Sequence, residues 1–574
     1  MSKLTSLLGL TFVFILSLIF SIFFFKDHHI GPDFSYYLPI MQLNKQYFLN
    51  KSIIAPLFSP GFCGGFISYA NPQDLYYSIK QLMFNFTPTS ISYHLIFGIY
   101  SVIGFVGAYF LLNKSFYLNS YTSILGAILF CFNGFFLVRF FYGHLGFIDF
   151  NLLPLFIFFI IQSTKFETKK NISYLLIASL LLMSLIYSGS ASILPYFLSS
   201  TFLIIFLYYD FFKLNLKIFL NLFISIGIGI LLGSSKIYLF LKVLINNPRE
   251  LVTGSFDNIY GLILFFFNAL FGFGSDFKMS NSITSKFRIE AHELNYNISV
   301  IALLLIIISF SNIHFVKKLL KTFFFYSAVL IFLALTMVNE NFASFFYVNK
   351  FTVVPMRFLS IIILPLILIA ILGSITTIEK ISHTIKINFN VILILLYLPL
   401  QILIIHKTIF FNFPLIEKYQ NYELSPIKSV ALFVNKNNDR LEYPLTRNDL
   451  IFSDISTLNC YEPLHGYLNE KMDISKFTIK EVKEFPDLNV MLINPYEGLE
   501  DNLNFYKPSC FLFPEENNCK PYDHFKVSEK DDLEQFMNFN QFQYTLPSYY
   551  KILNYVCLFF LIFTISLIFY FRKK

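Results

Sequence analysis

The chain has 574 residues, of which 56 % are hydrophobic and only 14 % charged, against about 25 % charged in an ordinary soluble domain. Its mean hydropathy is +0.61, which excludes a soluble globular protein of this size. The formal net charge of +8 does not argue for nucleic acid, because the bases gather in short loops between apolar runs. The abundance of Phe (76) and Tyr (36) with no Trp reads as coding bias and carries no functional meaning.

Apolar runs of about 17–25 residues match a hydrocarbon core of ~30 Å and predict an all-α polytopic membrane protein. The first run, 4–25, is too long for a usual signal-peptide core and no small-x-small site follows it, so it is expected to be an uncleaved span with Lys3 in the cytoplasm. Later spans are expected near 92–112, 121–140, 147–164, 173–188, 191–209, 218–241, 297–313, 322–338, 354–376, 389–409 and 549–571. About twelve spans put both ends in the cytoplasm. The loops then placed inside carry Lys114, Lys165, Lys169, Lys170, Lys317, Lys318 and Lys380, and the chain ends Arg572-Lys573-Lys574, as the positive-inside rule requires. The least regular stretches are the break at Ser188-Gly189-Ser190 and the amphipathic 258–274, expected to lie in the interface.

This alternation places three long segments outside: 26–91, 242–296 and 410–548. The last holds 22 of the 35 acids and 13 of the 43 bases. Val430–Val434, Phe477–Ile479 and Val490–Ile493 read as short strands between turn residues. The expected organisation is therefore a transmembrane domain over 1–409, an extracytoplasmic mixed α/β domain over 410–548, and a last helix with a basic tail over 549–574. Among six cysteines, Cys510 and Cys519 are expected to pair on the outer side, where disulfides persist. Cys131 and Cys557 sit in spans, and Cys63 and Cys460 show no evident partner. Neither zinc spacing nor a nucleotide-binding motif is present.

Outside the C-terminal domain there are 13 acids, ten of them on the predicted outer side. Asp27, Glu250, Asp257, Asp276, Glu290 and Glu340 read as solvated surface. Asp33, Asp149 and Glu293 are set in aromatic and apolar sequence near an outer boundary, where an ionisable group tends to face a cavity or a partner. Asp33, just before a short helix expected from Phe34, suits either a helix cap or a general base. Only seven arginines occur, and Arg139 and Arg357 fall at outer span ends. They suit capture of phosphate or snorkelling toward headgroups.

Several segments resemble the GT-C-type membrane glycosyltransferases, and more specifically their bacterial YfhO-type branch. They are Gly31-Pro32-Asp33 with Tyr37-Leu38-Pro39 after the first span, Ser59–Phe66, Tyr69–Tyr76, Gly143-His144 ahead of Pro154, Glu293…Tyr296 and Pro355…Arg357. The resemblance implies inverting transfer of a sugar from a polyprenyl-phosphate donor to an envelope glycan, lipid or protein acceptor, on the extracytoplasmic side of the inner membrane. It implies Asp33 as catalytic base, with Asp149 or His144 as a second catalytic polar site. Arg357 would bind donor phosphate, and Glu293, Tyr37, Asn71, Gln73 and Arg139 would line the substrate site. Gly61, Gly64 and Gly65 would permit a tight loop at membrane depth. A divalent metal is compatible with the family, though no ligand cluster specifies one. The competing functions are a lipid or polysaccharide transporter or flippase, and a non-catalytic envelope-assembly protein.

Overall fold

The computed structural model describes residues 3–24, 29–31, 33–165, 169–208, 216–246, 267–272, 295–310, 355–385, 388–408, 413–414, 422–434, 448–458, 479–485, 488–498 and 500–573. The expected span 322–338, Glu293, Cys460, the surface acids Asp27, Glu250, Asp257, Asp276, Glu290 and Glu340, the start of the strand at Phe477 and most of 258–274 lie outside them.

The described chain is mainly helical. Helices α1 (Lys3–Phe24), α2 (Phe34–Asn50), α3 (Ile79–Phe86) and α4 (Thr89–Phe110) are followed by α5 (Ser120–Cys131), α6 (Gly134–Tyr142) and α7 (Leu153–Lys165). Then come α8 (Lys169–Tyr187), α9 (Leu194–Leu207), α10 (Lys217–Asn246), α11 (Ser299–Ser309), α12 (Ile363–Ile385) and α13 (Phe389–Thr408). Seven stretches are long and apolar enough to cross a bilayer: Ile91–Ser115, Ser120–Tyr142, Leu145–Lys165, Lys169–Tyr187, Lys217–Ile245, Arg357–Thr384 and Ser548–Phe571. Shorter apolar helices occupy Gly9–Ile22, Ala191–Leu207, Ser299–Ser309 and Phe389–Leu403. Each predicted span within the described residues therefore contains an apolar helix, seven of them at full crossing length.

Polar residues set the breaks. The stretch predicted as one span near 121–140 is two helices, because Asn133 turns the chain and its side chain accepts the Phe136 N–H at 3.1 Å as the cap of α6. Gly189, at φ +72°, separates α8 from the short 3₁₀ turn before α9.

The two ends of the bundle differ in chemistry. At one end the Lys165 ammonium donates to the Lys114 carbonyl at 3.2 Å, Lys169 lies over the Tyr570 ring and the Asn119 amide donates to Glu379. At the other end sits the C-terminal domain. Short strands β1 (His29–Ile30), β2 (Phe58–Ser59), β3 (Phe66–Ile67) and β4 (Phe413–Pro414) lie in the connections, and the domain's sheet has β5 (Ser429–Val434) between β6 (Ile455–Thr457) and β8 (Leu488–Ile493), with β7 (Ile479–Phe485) at the far edge. The β5–β6 pair is parallel and the others antiparallel. A hairpin-like pair, β9 (Asn502–Tyr506) and β10 (His524–Lys526), and helices α14 (Ser509–Leu512) and α15 (Lys530–Met537) complete it before α16 (Ser548–Lys573). Cys510 and Cys519 form the expected disulfide, and Cys131 and Cys557 are buried free thiols. Cys63, which the sequence leaves without a partner, is also disulfide-bonded.

The core of this domain is not confined to 410–548. The loop after α2 enters its core: Phe58, Phe62 and Phe66 pack with Val430, Ile493 and Phe505, together with Leu239 and Val243 of α10. Phe62 bridges Thr457, and the Gly64 carbonyl accepts the Tyr506 N–H at 2.6 Å. Burying aromatic side chains from both segments in one core stabilises each by a few kcal/mol. Loop and domain are thereby one packed body.

Candidate functional site

Two connections at the C-terminal-domain end of the bundle bring Asp33 and His144 together. Helix α6 finishes in a left-handed glycine: Gly143, at φ +101°, donates to the Phe140 carbonyl at 3.0 Å, and His144 donates to that of Arg139 at 2.8 Å. This paired closure is a Schellman motif, and it fixes the direction in which the chain, and with it His144, leaves the helix. The segment before α2 packs directly on that turn. The Asp33 N–H donates to the Tyr142 carbonyl at 3.1 Å. A Cβ on Gly31 would overlap the Tyr142 carbonyl, and one on Gly143 would overlap the Phe34 nitrogen. Two glycines thus allow a backbone approach that a larger residue would block.

The Asp33 carboxylate then meets Nε2 of His144 in a direct polar contact. Asp33 occupies the N-cap position of α2, yet its side chain makes no capping hydrogen bond. The cap alternative therefore gives way to the pair. The side chains are 14 % and 12 % exposed.

Phe147 follows within the 3₁₀ segment Leu145–Leu152. Its ring lies 5.6 Å from the His144 imidazole, with the Arg357 guanidinium at 4.7 Å and that of Arg139 at 5.3 Å. Arg139 is fully buried on α6, with its second face toward Phe135 and one nitrogen 3.5 Å from the Tyr296 hydroxyl. Arg357, in the 3₁₀ turn Pro355–Ile362 that leads into α12, is partly exposed. Guanidinium groups on aromatic faces keep their positions without losing charge. Two around one ring concentrate positive potential beside the Asp33–His144 pair.

Asp149 is placed differently. It is 1 % exposed, and its carboxylate accepts from Lys80 at 2.5 Å, Tyr100 at 2.8 Å, Ser188 at 3.0 Å and the Ser190 hydroxyl. Lys80 also donates to the Leu145 carbonyl at 2.9 Å, next to His144. Every oxygen of Asp149 is thus engaged in a buried network that ties α3 to the 3₁₀ segment and to the α8–α9 turn. A second buried pair, Asp74 with Lys236 of α10 at 3.2 Å, anchors the same loop. Buried pairs of this sort tolerate loss of a partner poorly. Asp149 is positioned to hold structure, whereas Asp33 stands outside that network, against His144.

Of the remaining predicted residues, Tyr37 lies one turn along α2 from Asp33, with its hydroxyl against Gly146, so it joins the same neighbourhood. Asn71 donates to the Tyr36 hydroxyl at 3.0 Å and accepts the Gln73 N–H at 2.8 Å, shaping the loop. The Gln73 carbonyl abuts Gly189. Among the described residues, no three His, Cys, Asp or Glu side chains gather as a metal would need. Sequence reasoning missed Lys80, Lys236 and Phe147. A lysine inside the apolar run 218–241 is the one signal that pointed to a buried partner; Lys80 and Phe147 resemble their neighbours. No family model, curated protein or solved structure matches this chain.

Proposed function

We propose that this chain is a membrane glycosyltransferase of GT-C type, moving a sugar from a polyprenyl-phosphate donor to an acceptor hydroxyl on the outer side of the inner membrane. The observation that carries the reading is the meeting of the Asp33–His144 pair with Arg139 and Arg357 around Phe147. A transfer of this kind needs a proton acceptor beside the attacking hydroxyl and fixed positive charge beside the leaving phosphate. In the proposed step the acceptor oxygen attacks the anomeric carbon and its proton passes to Asp33, whose orientation His144 holds. The bond between the anomeric carbon and the phosphate oxygen breaks with inversion, and Arg357 takes up the charge that develops on the lipid phosphate. Arg139, buried behind Phe147, reinforces that potential.

The donor's isoprenoid requires an apolar surface, a requirement that the exposed Leu395, Leu396 and Leu403 of α13 are compatible with. Segregation of the basic loops to the opposite end supports an extracytoplasmic C-terminal domain under the positive-inside rule. The test is purified protein in proteoliposomes supplied with labelled polyprenyl-phosphate sugars and vesicle-borne glycan acceptors. Expected is release of polyprenyl phosphate with transfer of label, lost in Asp33→Asn. Failure of the wild-type protein to turn over every donor in a panel of hexose and N-acetylhexosamine phospholipids would overturn the reading.

A further inference from the structure

The C-terminal domain has an open surface cleft, of about 670 Å³, whose described lining comes from residues 507–545. That volume is within the range of small-molecule sites, but the lining is unusual for one because amides and carboxylates dominate. Asn518, Gln541 and Gln543 are exposed at its rim, and Glu516 and Asp532 face it from half-buried positions. The frame is fixed. The Cys510–Cys519 disulfide closes the segment carrying Glu516 and Asn518. Asn517 exchanges hydrogen bonds with Thr545 at 3.0 and 3.2 Å, and Asp532 accepts the Gln543 N–H at 3.3 Å. Tyr544 forms part of the wall, edge-on to Phe58 at 5.0 Å, so the cleft adjoins the loop that follows α2.

The chemistry of this lining selects among ligand classes. Side-chain amides both donate and accept, and carboxylates accept pairs of bonds, the pattern that neighbouring hydroxyl groups on a sugar ring can satisfy. An acyl chain would find little apolar wall. Lys507 is engaged by Glu529, so three carboxylates face one lysine among the described lining residues. An anionic ligand would be repelled. We propose that this cleft binds an uncharged or amino-bearing oligosaccharide, the acceptor chain of the reaction proposed above. Naming it the acceptor rests on the glycosyltransferase reading; the binding itself does not.

The experiment uses the full chain in nanodiscs and saturation-transfer NMR with maltotetraose, chitotetraose, its de-N-acetylated form and tetragalacturonate. Saturable binding of at least one neutral or amino-bearing tetrasaccharide is expected, at least tenfold tighter than tetragalacturonate. Asn518→Ala combined with Gln543→Ala, both exposed positions, should weaken it tenfold or more, whereas Lys170→Ala, exposed at the opposite end of the bundle, should leave it unchanged. Absence of binding to all four sugars, preference for the acidic one, or indifference to the rim substitutions would each overturn the proposal. Binding without transfer in the proteoliposome assay would leave the cleft standing and remove only the glycosyltransferase reading.

Discussion

Asp33 and His144 arrive from different connections of the bundle, and their side chains close on one another, carboxylate against Nε2. Asp149, only five residues beyond His144, faces the other way into Lys80. The two carboxylates therefore answer to the same substitution in opposite ways. Asp33→Asn keeps the shape of a side chain that makes no cap bond, so thermal unfolding in detergent should stay near wild type. Transfer should fall by roughly 10²-fold or more, the scale of general-base loss. Asp149→Asn strands the fully buried Lys80 ammonium and should cost about 3–5 kcal/mol of stability. A stable Asp149→Asn protein that has lost transfer, beside an active Asp33→Asn protein, would reassign the base.

The contrast marks how far the sequence could be read. The apolar helices are legible because each is a local property of some twenty consecutive residues, and the strands at 430 and 490 likewise. Cys510 and Cys519 are legible as close neighbours on one loop. Asp33 and Asp149 are not distinguishable in sequence, since both are lone acids amid Phe and Tyr. What separates them is Lys80, delivered from a distant loop helix. The disulfide of Cys63 and the insertion of Phe58, Phe62 and Phe66 into the C-terminal core are equally non-local. So is the close approach that Gly31 and Gly143 permit, which looks in sequence like two ordinary turns.

Gly143→Ala tests that approach. A left-handed φ costs an L-residue about 1–2 kcal/mol, and the added Cβ also meets the Phe34 nitrogen. Stability should drop by at least that amount. The pair it would displace is catalytic in the proposed reaction, and a shift of ~1 Å can cost about 10²-fold. Transfer measured well below the melting temperature should therefore fall further than the unfolded fraction explains.

His524 gives the C-terminal domain a pH dependence of known sign. Tilted against the Tyr506 ring at 4.4 Å, its imidazole has a pKa lowered by burial to about 4, from 6.5 when free. Between those values the unfolded chain binds a proton that the folded one refuses, so stability is present above pH 6.5 and declines as pH falls toward 4. The loss should approach 1.4 kcal/mol per pH unit, about 3 kcal/mol in all. Thermal unfolding of the full chain from pH 7 to 4.5 should show the slope, and His524→Phe should flatten it.

Sidedness can be read with introduced cysteines at two exposed sites. Lys520→Cys lies on the C-terminal domain and Lys170→Cys at the basic end of α8. In intact cells or spheroplasts an impermeant maleimide should label the first and reach the second only after permeabilisation. The reverse pattern would turn the Asp33 end of the bundle toward the cytoplasm.

Arg357 separates phosphate binding from membrane anchoring. A lysine at that position retains the charge and would snorkel as well, but it loses the planar fork and the stacking on Phe147. If the guanidinium binds the donor's phosphate, Arg357→Lys should raise the donor KM about tenfold, corresponding to ~1.4 kcal/mol, with insertion and melting temperature unchanged. Phe147→Leu probes the same assembly from beneath. It removes the ring shared by Arg139 and Arg357 while keeping an apolar side chain in a site that is 4 % exposed. It should raise the donor KM in the same direction, and combined with Arg357→Lys the two effects should be less than additive, because both disturb one contact. Strict additivity, or an unaltered KM in both single variants, would return Arg357 to the role of a headgroup anchor.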